Sequence, residues 1–260
     1  MTRFDVLTDH QAAVARTYLA ARSAERHHLV VYLSGAHAYG FPSPDSDLDL
    51  KCVHVAPTSA LVGLAPDDGG SDQLTVVDGV ELDYGSNELG GVLASVLKGN
   101  GNYLERLLGE LVLGGDDGLL ASLRPLVRAT LSRRVARHYG GFATAQLRAL
   151  EATPTAKKAL YVLRTARTGL HLLRTGELVA DLTQLAPRYG PEVGELIARK
   201  QTGERVALTG DELARWRGEL IGAIAALDDA APSSILPEEP SAAAVAALDA
   251  WLRETRRAWW

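Results

Sequence analysis

Two aspartates, Asp47 and Asp49, lie two positions apart at the start of an apolar segment, residues 48–55, that has the pattern of a β-strand. Side chains alternate between the faces of a strand, so both carboxylates point the same way, with α-carbons about 6–7 Å apart. Two carboxylates so placed can share divalent ions such as Mg²⁺ or Mn²⁺. In two-metal phosphoryl transfer, ions about 3.5–4 Å apart activate an attacking hydroxyl and neutralise the phosphates. The spacing therefore predicts a site for metal ions and phosphates.

A third carboxylate is available in residues 80–84, where apolar and acidic side chains alternate. The apolar side chains of this segment would face the core, which leaves Glu81 and Asp83 on the opposite face. We predict Asp83 as the third catalytic and metal-binding carboxylate, with Glu81 as the alternative. Asp45 stands between a proline and a serine, which is typical of a turn, so we assign it to a loop.

A glycine-punctuated turn precedes the aspartate pair and follows a short apolar strand at residues 29–33. Because glycine lacks a side chain, the backbone around Ser34 and Gly35 can approach a phosphate closely, and its amides can bind it. An isolated Asp-x-Asp is common on solvated strand faces, and this turn is what favours the catalytic interpretation. His37 and Tyr39 lie in the same turn, where they either contact a nucleotide or pack into the core.

A later helix, residues 155–174, places Lys157, Tyr161 and Arg164 on one face by their spacing. We predict that Lys157 and Arg164 bind a triphosphate or a nucleic-acid end. A solvated surface is the more ordinary explanation, because basic residues are common on exposed helices. Glu105 is expected at a helix cap or at the surface.

Strand patterns precede helix patterns along the chain. Strands are predicted at residues 29–33, 48–55, 74–77 and 80–84, with a tight turn at Asp78-Gly79 between the last two. Helices are predicted at residues 8–26, 86–98, 102–113, 119–132, 135–150, 155–174, 192–200, 212–227 and 242–258. This order predicts an α+β fold with a small mixed β-sheet and a helical C-terminal region. We place the two domains at residues 1–115 and 116–260.

Composition limits the class of protein. The 260 residues carry a net charge of −5, which argues against a generally basic, nucleic-acid-coating surface, so any such binding must be local. The single cysteine, Cys52, excludes an intramolecular disulfide and a cysteine-rich zinc site, and we expect it to be buried. The N-terminus lacks a signal-peptide pattern, and no apolar run reaches the ~18–20 residues that cross a bilayer. We expect a cytoplasmic protein without a membrane partner.

These motifs resemble the signature of the DNA polymerase β-like nucleotidyltransferase superfamily, in which a glycine turn is followed by Asp-x-Asp and a later acidic residue. The residues that carry the resemblance are Gly35-Ala36, Tyr39-Gly40 and the run from Pro44 to Leu50. A fuller set is similar to the bacterial nucleotidyltransferases associated with RNA-repair ligases (RlaP-like): His37-Ala38-Tyr39-Gly40, Gly99-Asn100-Gly101-Asn102 and Leu104-Glu105. The resemblance is specific over residues 29–110.

The resemblance implies a nucleotidyltransferase with two magnesium ions at Asp47, Asp49 and Asp83, and a nucleoside triphosphate at the glycine turn. It implies transfer of a nucleotidyl group to an acceptor hydroxyl, with release of pyrophosphate. The acceptor is expected to be an RNA end, and an RNA ligase is an expected partner. Ala36 departs from the family pattern, which usually has serine there, so Ser34 or a backbone amide would have to replace that contact.

Three alternatives stay open. The same site could modify a small molecule or a protein hydroxyl, in which case Lys157 would not bind RNA. The missing hydroxyl at Ala36 favours a non-catalytic nucleotide-binding or antitoxin-like module. A purely structural helical scaffold leaves the aspartate spacing unexplained.

Overall fold

A mixed sheet forms the N-terminal half of the protein. The computed structural model describes residues 4–190, 193–203 and 206–260. Within these residues the strands are β1 (His27–Leu33), β2 (Leu48–Val55), β3 (Ser71–Val77), β4 (Val80–Glu88) and β5 (Val112–Gly114). They form one sheet in the order β3-β4-β2-β1-β5, in which β2 and β4 are parallel and the other neighbours are antiparallel. The predicted α+β class and the hairpin turn at Asp78-Gly79 are confirmed.

Helices flank the sheet and make up the C-terminal half. They are α1 (Asp9–Glu25), α2 (Gly35–Ala38), α3 (Thr58–Leu61), α4 (Leu89–Val96), α5 (Gly101–Leu108), α6 (Asp117–Ala129), α7 (Val135–Ala152), α8 (Ala156–Thr175), α9 (Leu182–Tyr189), α10 (Gly194–Gln201), α11 (Gly210–Ala230) and α12 (Ala242–Ala258). Helix α1 begins at a capping box in which the Thr8 hydroxyl accepts from the Gln11 amide. Helix α8 ends at Gly176, which adopts the left-handed conformation with φ of 73°.

Three local predictions differ from the structure. Residues 102–113 do not form one helix, because α5 ends at Leu108 and residues 112–114 pair with β1 as strand β5. The helix after β4 begins later than predicted, because β4 extends to Glu88, whose carboxylate caps α4 by accepting from the Gly90 amide. Helix α9 contains Pro187 and had no predicted counterpart. Glu192, the predicted start of the next helix, lies outside the described residues. Within the described residues, helix α10 begins at Gly194.

Different helices pack against the two faces of the sheet. On one face α1 packs against Leu48, Leu50 and Leu82, which are fully buried, and Cys52 lies in the same cluster as expected. On the other face Val53 belongs to a larger hydrophobic cluster that includes α4, α5 and α8. This second cluster contains residues from both the 1–115 and the 116–260 segments. The start of β2 on that face carries polar side chains instead, and the candidate site lies there.

Two neighbouring histidines make stability depend on pH. His28 and His54 are cross-strand partners, and they contact the hydroxyls of Tyr84 and Ser86, at 2.8 Å each. Burial lowers the pKa of both imidazoles, that of His28 to about 4. A lowered folded-state pKa means that the unfolded chain takes up protons first as the pH falls, so stability is lost on acidification.

We therefore expect the urea midpoint to fall as the pH is lowered from 6.5 towards 4. The same titration on His28→Gln, which keeps hydrogen-bonding capacity without a titrating ring, should show a shallower pH dependence. Equal slopes for the two proteins would contradict the assignment.

In the part of the chain that the structure describes, no helix combines the length and the apolar character needed to span a bilayer.

Candidate active site

The predicted carboxylates lie on adjacent strands. In the parallel pairing of β2 with β4, Asp49 stands beside Asp83, and Leu48 stands beside Leu82. Because both leucines are buried beneath α1, strand alternation sends both carboxylates to the opposite face. Asp47 directly precedes β2 and shares that face by the same alternation. The structure thus brings the three predicted carboxylates into one region of the sheet.

Asp49 is the most perturbed of these acids. Burial, together with repulsion from Asp47 and to a smaller extent from Asp83, raises the pKa of Asp49 to about 7. Attraction to Lys51 and Lys157 opposes this shift without cancelling it. The nearby side chains therefore supply too little positive charge for three carboxylates, and a divalent cation is the kind of group that would supply the rest.

Lys51 is a site residue that the sequence-based predictions omit. Its Nζ donates to Asp83 Oδ1 at 2.5 Å, in an ion pair on the carboxylate face. The sequence contained the signal, because Lys51 follows Asp49 by two positions and so shares its face. With Asp83 held in this pair, the described residues contain no group of three or more acidic, histidine or cysteine side chains arranged to hold one metal ion. The oxygen donors of Asp47 and Asp49 still fit a hard divalent cation in chemistry and charge.

The glycine turn lies in close contact with the Asp49 side chain. Gly35 has a φ of 63°, and a Cβ atom built there would lie 1.7 Å from Asp49 Oδ2. The Ser34 amide donates to the Asp49 carbonyl at 2.8 Å, which fixes the turn to β2. Only glycine therefore allows this close approach between the turn and the carboxylate.

Gly35→Ala is expected to reduce both stability and activity. The left-handed backbone alone costs an alanine about 1–2 kcal/mol, and the new methyl group must displace the Asp49 carboxylate. Thermal unfolding and nucleotide-transfer assays measure the two effects. Gly91→Ala in α4 is the control, because nothing lies within 4 Å of its Cβ position. It should leave activity unchanged and should not lower stability, since alanine is favoured over glycine in a helix. A Gly35→Ala protein as stable and active as the control would contradict this geometry.

Two other turn residues are buried. Ala36 is buried in the larger hydrophobic cluster, which also contains Val53. His37 is also buried, and it lines two cavities in which Asp47, Asp49 and Asp83 take no part. His37 thus lies in the same short helix as Gly35 and Ala36, but the two cavities that it lines do not include the three carboxylates.

Tyr39 connects the turn to a buried ion pair. Its hydroxyl lies 3.2 Å from Ser34 Oγ and donates to Glu105 Oε2 at 3.3 Å. Arg164 donates to Glu105 Oε1 at 2.6 Å, and its guanidinium stacks on the Tyr39 ring at 3.7 Å from the centroid. Tyr139 donates to Glu105 Oε1 as well, at 3.2 Å. These contacts link α5, α7 and α8 to the turn through a single carboxylate.

This network corrects two expectations. Glu105 is only 2% exposed, so the expected cap or surface position is wrong. Arg164 is equally buried, and its guanidinium is not on the accessible helix face that the prediction of phosphate binding assumed. Neither burial is visible in the sequence, because an isolated acid and an isolated base on two separate helices have no local pattern that pairs them.

Lys157 lines a cleft that Asp47 also lines. This cleft has a volume of about 1080 Å³, and its walls include Asp47, Glu81, Lys157 and Tyr161. Tyr161 packs edge-on against Tyr39, with ring centroids 5.6 Å apart. The cleft therefore places basic and aromatic groups of α8 opposite acidic groups of the sheet.

A buried lysine supports the loop before Asp47. Lys200 on α10 is fully buried, and its Nζ donates to the hydroxyls of Ser43 and Ser46 at 2.7 Å each. Because the two ends of this contact lie more than 150 residues apart, the sequence offers no signal for it. The helical half thus holds the segment that leads into the first aspartate.

Comparison with known proteins identifies a family. Residues 12–254 match the RlaP family, described as the RNA repair pathway DNA polymerase beta family. An uncharacterized protein of Methanocaldococcus jannaschii is 26% identical over 157 residues, which are 60% of this chain and 64% of that protein. The chain thus spans less than two thirds of the length of this curated relative.

Among solved structures, a nucleotidyltransferase-like protein from Exiguobacterium sibiricum 255-15 matches at 12% identity with a TM-score of 0.34. The match covers 86% of this chain and 75% of that one. The family match, by contrast, spans nearly all of the chain and includes both the sheet and the helical half. The chain belongs to the RNA repair pathway DNA polymerase beta family.

Proposed function

We propose that the protein transfers a nucleoside monophosphate from a nucleoside triphosphate to a hydroxyl at an RNA end. The observation that carries this proposal is the pairing of Asp49 with Asp83 on one sheet face, directly against the Gly35 turn. In the reaction, the acceptor oxygen bonds to the α-phosphorus, and the bond from that phosphorus to the oxygen of the β-phosphate breaks. Pyrophosphate leaves, and the hydroxyl proton passes to solvent.

Asp47, Asp49 and Asp83 are the residues that would hold Mg²⁺ or Mn²⁺. When bound, these ions neutralise phosphate charge and lower the pKa of the attacking hydroxyl. In this proposal Lys51 holds the Asp83 carboxylate in position on the sheet face while no metal is bound to it. Burial first, and then repulsion from Asp47, raises the pKa of Asp49, and a carboxylate whose charge is disfavoured in this way supports the binding of a cation at this place.

The triphosphate would lie between the glycine turn and α8. The Gly35 backbone can approach a phosphate closely, and Lys157 provides positive charge at the cleft wall. A backbone amide of the turn would replace the contact that Ala36 lacks, because the Tyr39 hydroxyl donates to Glu105 and the Ser34 hydroxyl therefore donates to Tyr39. Arg164 would not contact phosphate. Its role would be to hold the Tyr39 ring in position by stacking on it.

RNA as the acceptor is supported by the description of the family, which places it in RNA repair. Repair of a broken strand requires that processed ends be joined afterwards. We therefore also propose an RNA ligase as a partner of this protein.

The proposal is tested with four nucleoside triphosphates, each labelled at the α-phosphate, and with RNA, DNA and protein as acceptors. Reactions contain Mg²⁺ or Mn²⁺, and each is repeated with Asp47→Asn. We expect label on RNA with the wild type and none with the variant. Label that persists in Asp47→Asn would remove Asp47 from the mechanism, and label on protein or DNA alone would contradict RNA as the acceptor.

A further inference from the structure

The sheet edge beside the carboxylates carries two exposed apolar side chains. Leu74 is 77% exposed and Val76 is 62% exposed, and both lie on β3, an edge strand. Single exposed apolar residues are ordinary on protein surfaces. These two are neighbours on one face, because two positions separate them along the strand.

Strand register places this pair in line with the catalytic carboxylates. Leu74 is the cross-strand partner of Asp83, which in turn stands beside Asp49 on β2. Val76 is the partner of Glu81, which lines the cleft. Since adjacent strands lie about 4.7–4.9 Å apart, Leu74 is the next side chain in the row beyond Asp83. The exposed pair therefore extends the carboxylate face and does not belong to the face that α1 covers.

The order of the strands indicates where each substrate would lie: the triphosphate near β1 and β2, and the RNA acceptor near β4 and β3. The glycine turn, where phosphates would bind, follows β1 and contacts Asp49 on β2. Asp83 lies on the next strand, β4, so the acceptor hydroxyl that reaches it approaches from the β3 side. Phosphates are disfavoured over β3, because Glu81 stands beside Val76 and Asp72 shares the face of Leu74 on the same strand. The part of the acceptor over β3 must therefore be uncharged and largely apolar.

We propose that Leu74 and Val76 form an acceptor platform, on which the terminal nucleobase of the RNA end rests. A nucleobase is the uncharged, flat part of a nucleotide, and its faces favour contact with apolar side chains. This inference rests on the proposed function, and it adds the position of the acceptor relative to the triphosphate. The platform would orient the terminal ribose so that its hydroxyl lies near Asp83.

The double variant Leu74→Ser with Val76→Ser tests the platform. We expect the KM for the RNA acceptor to rise about tenfold, while the KM for the triphosphate stays unchanged. Leu74→Trp should lower the acceptor KM, because an aromatic ring stacks on a base better than leucine does. Both side chains are largely exposed, so these variants should fold as the wild type does. Leu64→Ser is the matched control, since Leu64 is exposed on a loop outside the sheet.

A direct binding measurement separates this inference from the proposed reaction. Fluorescence anisotropy of a labelled RNA oligonucleotide needs no turnover, so it reports on the platform even if no transfer is found. Weaker binding by the double variant than by the Leu64→Ser control supports the platform. An oligonucleotide without its terminal base should bind the wild type and the double variant equally, because neither protein can then make the contact with that base.

Three results would overturn the platform. They are equal RNA binding by the wild type and the double variant, an absence of RNA binding by the wild type, and a wild-type dimer that dissociates in the double variant. The last result, measured by sedimentation, would assign Leu74 and Val76 to contact with a second copy of the chain. If the double variant transfers normally and its KM for the RNA acceptor is unchanged, the platform proposal is wrong but the proposed reaction still holds.

Discussion

Asp49→Asn is expected to lower nucleotide transfer by a factor on the order of 10²–10³ while making the folded protein more stable. The carboxylate of Asp49 is largely buried beside Asp47 and Asp83, and its raised pKa of about 7 shows that its charge is unfavourable there. Asparagine has nearly the same shape and removes that charge, so the repulsion disappears. The catalytic charge disappears with it, which is the usual conflict between stability and activity at functional sites.

Two measurements check this prediction. Thermal unfolding without metal should give a higher midpoint for Asp49→Asn than for the wild type. Addition of Mg²⁺ should then raise the midpoint of the wild type and leave the variant unchanged, because ligands stabilise only a folded state that binds them. A variant that keeps wild-type transfer, or that still responds to Mg²⁺, would exclude Asp49 as a metal ligand.

The third carboxylate is identified by a matched pair of variants. Asp83→Asn should lose transfer, whereas Glu81→Gln should keep it, because Asp83 is the residue in register with Asp49. The two acids lie two positions apart on the same strand face, so they share their surroundings. The opposite result would make Glu81 the third ligand.

Arg164→Met is expected to destabilise the protein by about 3–5 kcal/mol, the cost of leaving one partner of a buried ion pair alone. Glu105 is 3% exposed in its side chain and would lose its only cationic contact among the described residues. Burial lowers the pKa of Arg164, but the attraction to Glu105 outweighs it and holds that pKa above its usual range. The guanidinium is therefore charged in the folded protein.

Urea unfolding measures this loss, with Arg257→Met as the control. Arg257 pairs with Glu254 on the surface of α12, where both side chains are more than 70% exposed, so its removal should change stability little. Combining Arg164→Met with Glu105→Gln should recover part of the lost stability, because the buried charge is then removed. One of the two tyrosine hydroxyls keeps an oxygen acceptor, and the other can accept from the new amide N–H. Equal losses for Arg164→Met and Arg257→Met would contradict a structural role for the buried pair.

The same network explains why both halves of the chain are needed for the site. Arg164 on α8 stacks on Tyr39, whose hydroxyl reaches Ser34 in the glycine turn. Lys200 on α10 holds the loop that leads into Asp47. The helical half therefore positions the turn and the first aspartate, in addition to supplying Lys157 at the cleft.

The local part of this site could be predicted from sequence. Alternation on a strand is a short-range property, so it correctly placed Asp49 and Asp83 on the same face of neighbouring strands. Two-residue turns such as Asp78-Gly79 are equally local, since the positive φ angles depend on the residues themselves.

The long-range part could not be predicted. The pairing of Glu105 with Arg164 and the burial of Lys200 depend on how helices pack against the turn, and no spacing in the sequence encodes either contact. Strand β5 was missed for the same reason, because a three-residue segment becomes a strand only through pairing with β1. Lys51 is different, since alternation alone would have placed it beside the aspartates.

Parallel reactions with one triphosphate labelled at either the α- or the γ-phosphate test the central claim most directly. Each contains the RNA acceptor, Mg²⁺ and either the wild type or Asp49→Asn. We predict that the α-label joins RNA and that the γ-label appears in pyrophosphate, with both products lowered in the variant by a factor on the order of 10²–10³. The γ-label on RNA, or triphosphate binding without release of pyrophosphate, would contradict nucleotidyl transfer at Asp47, Asp49 and Asp83.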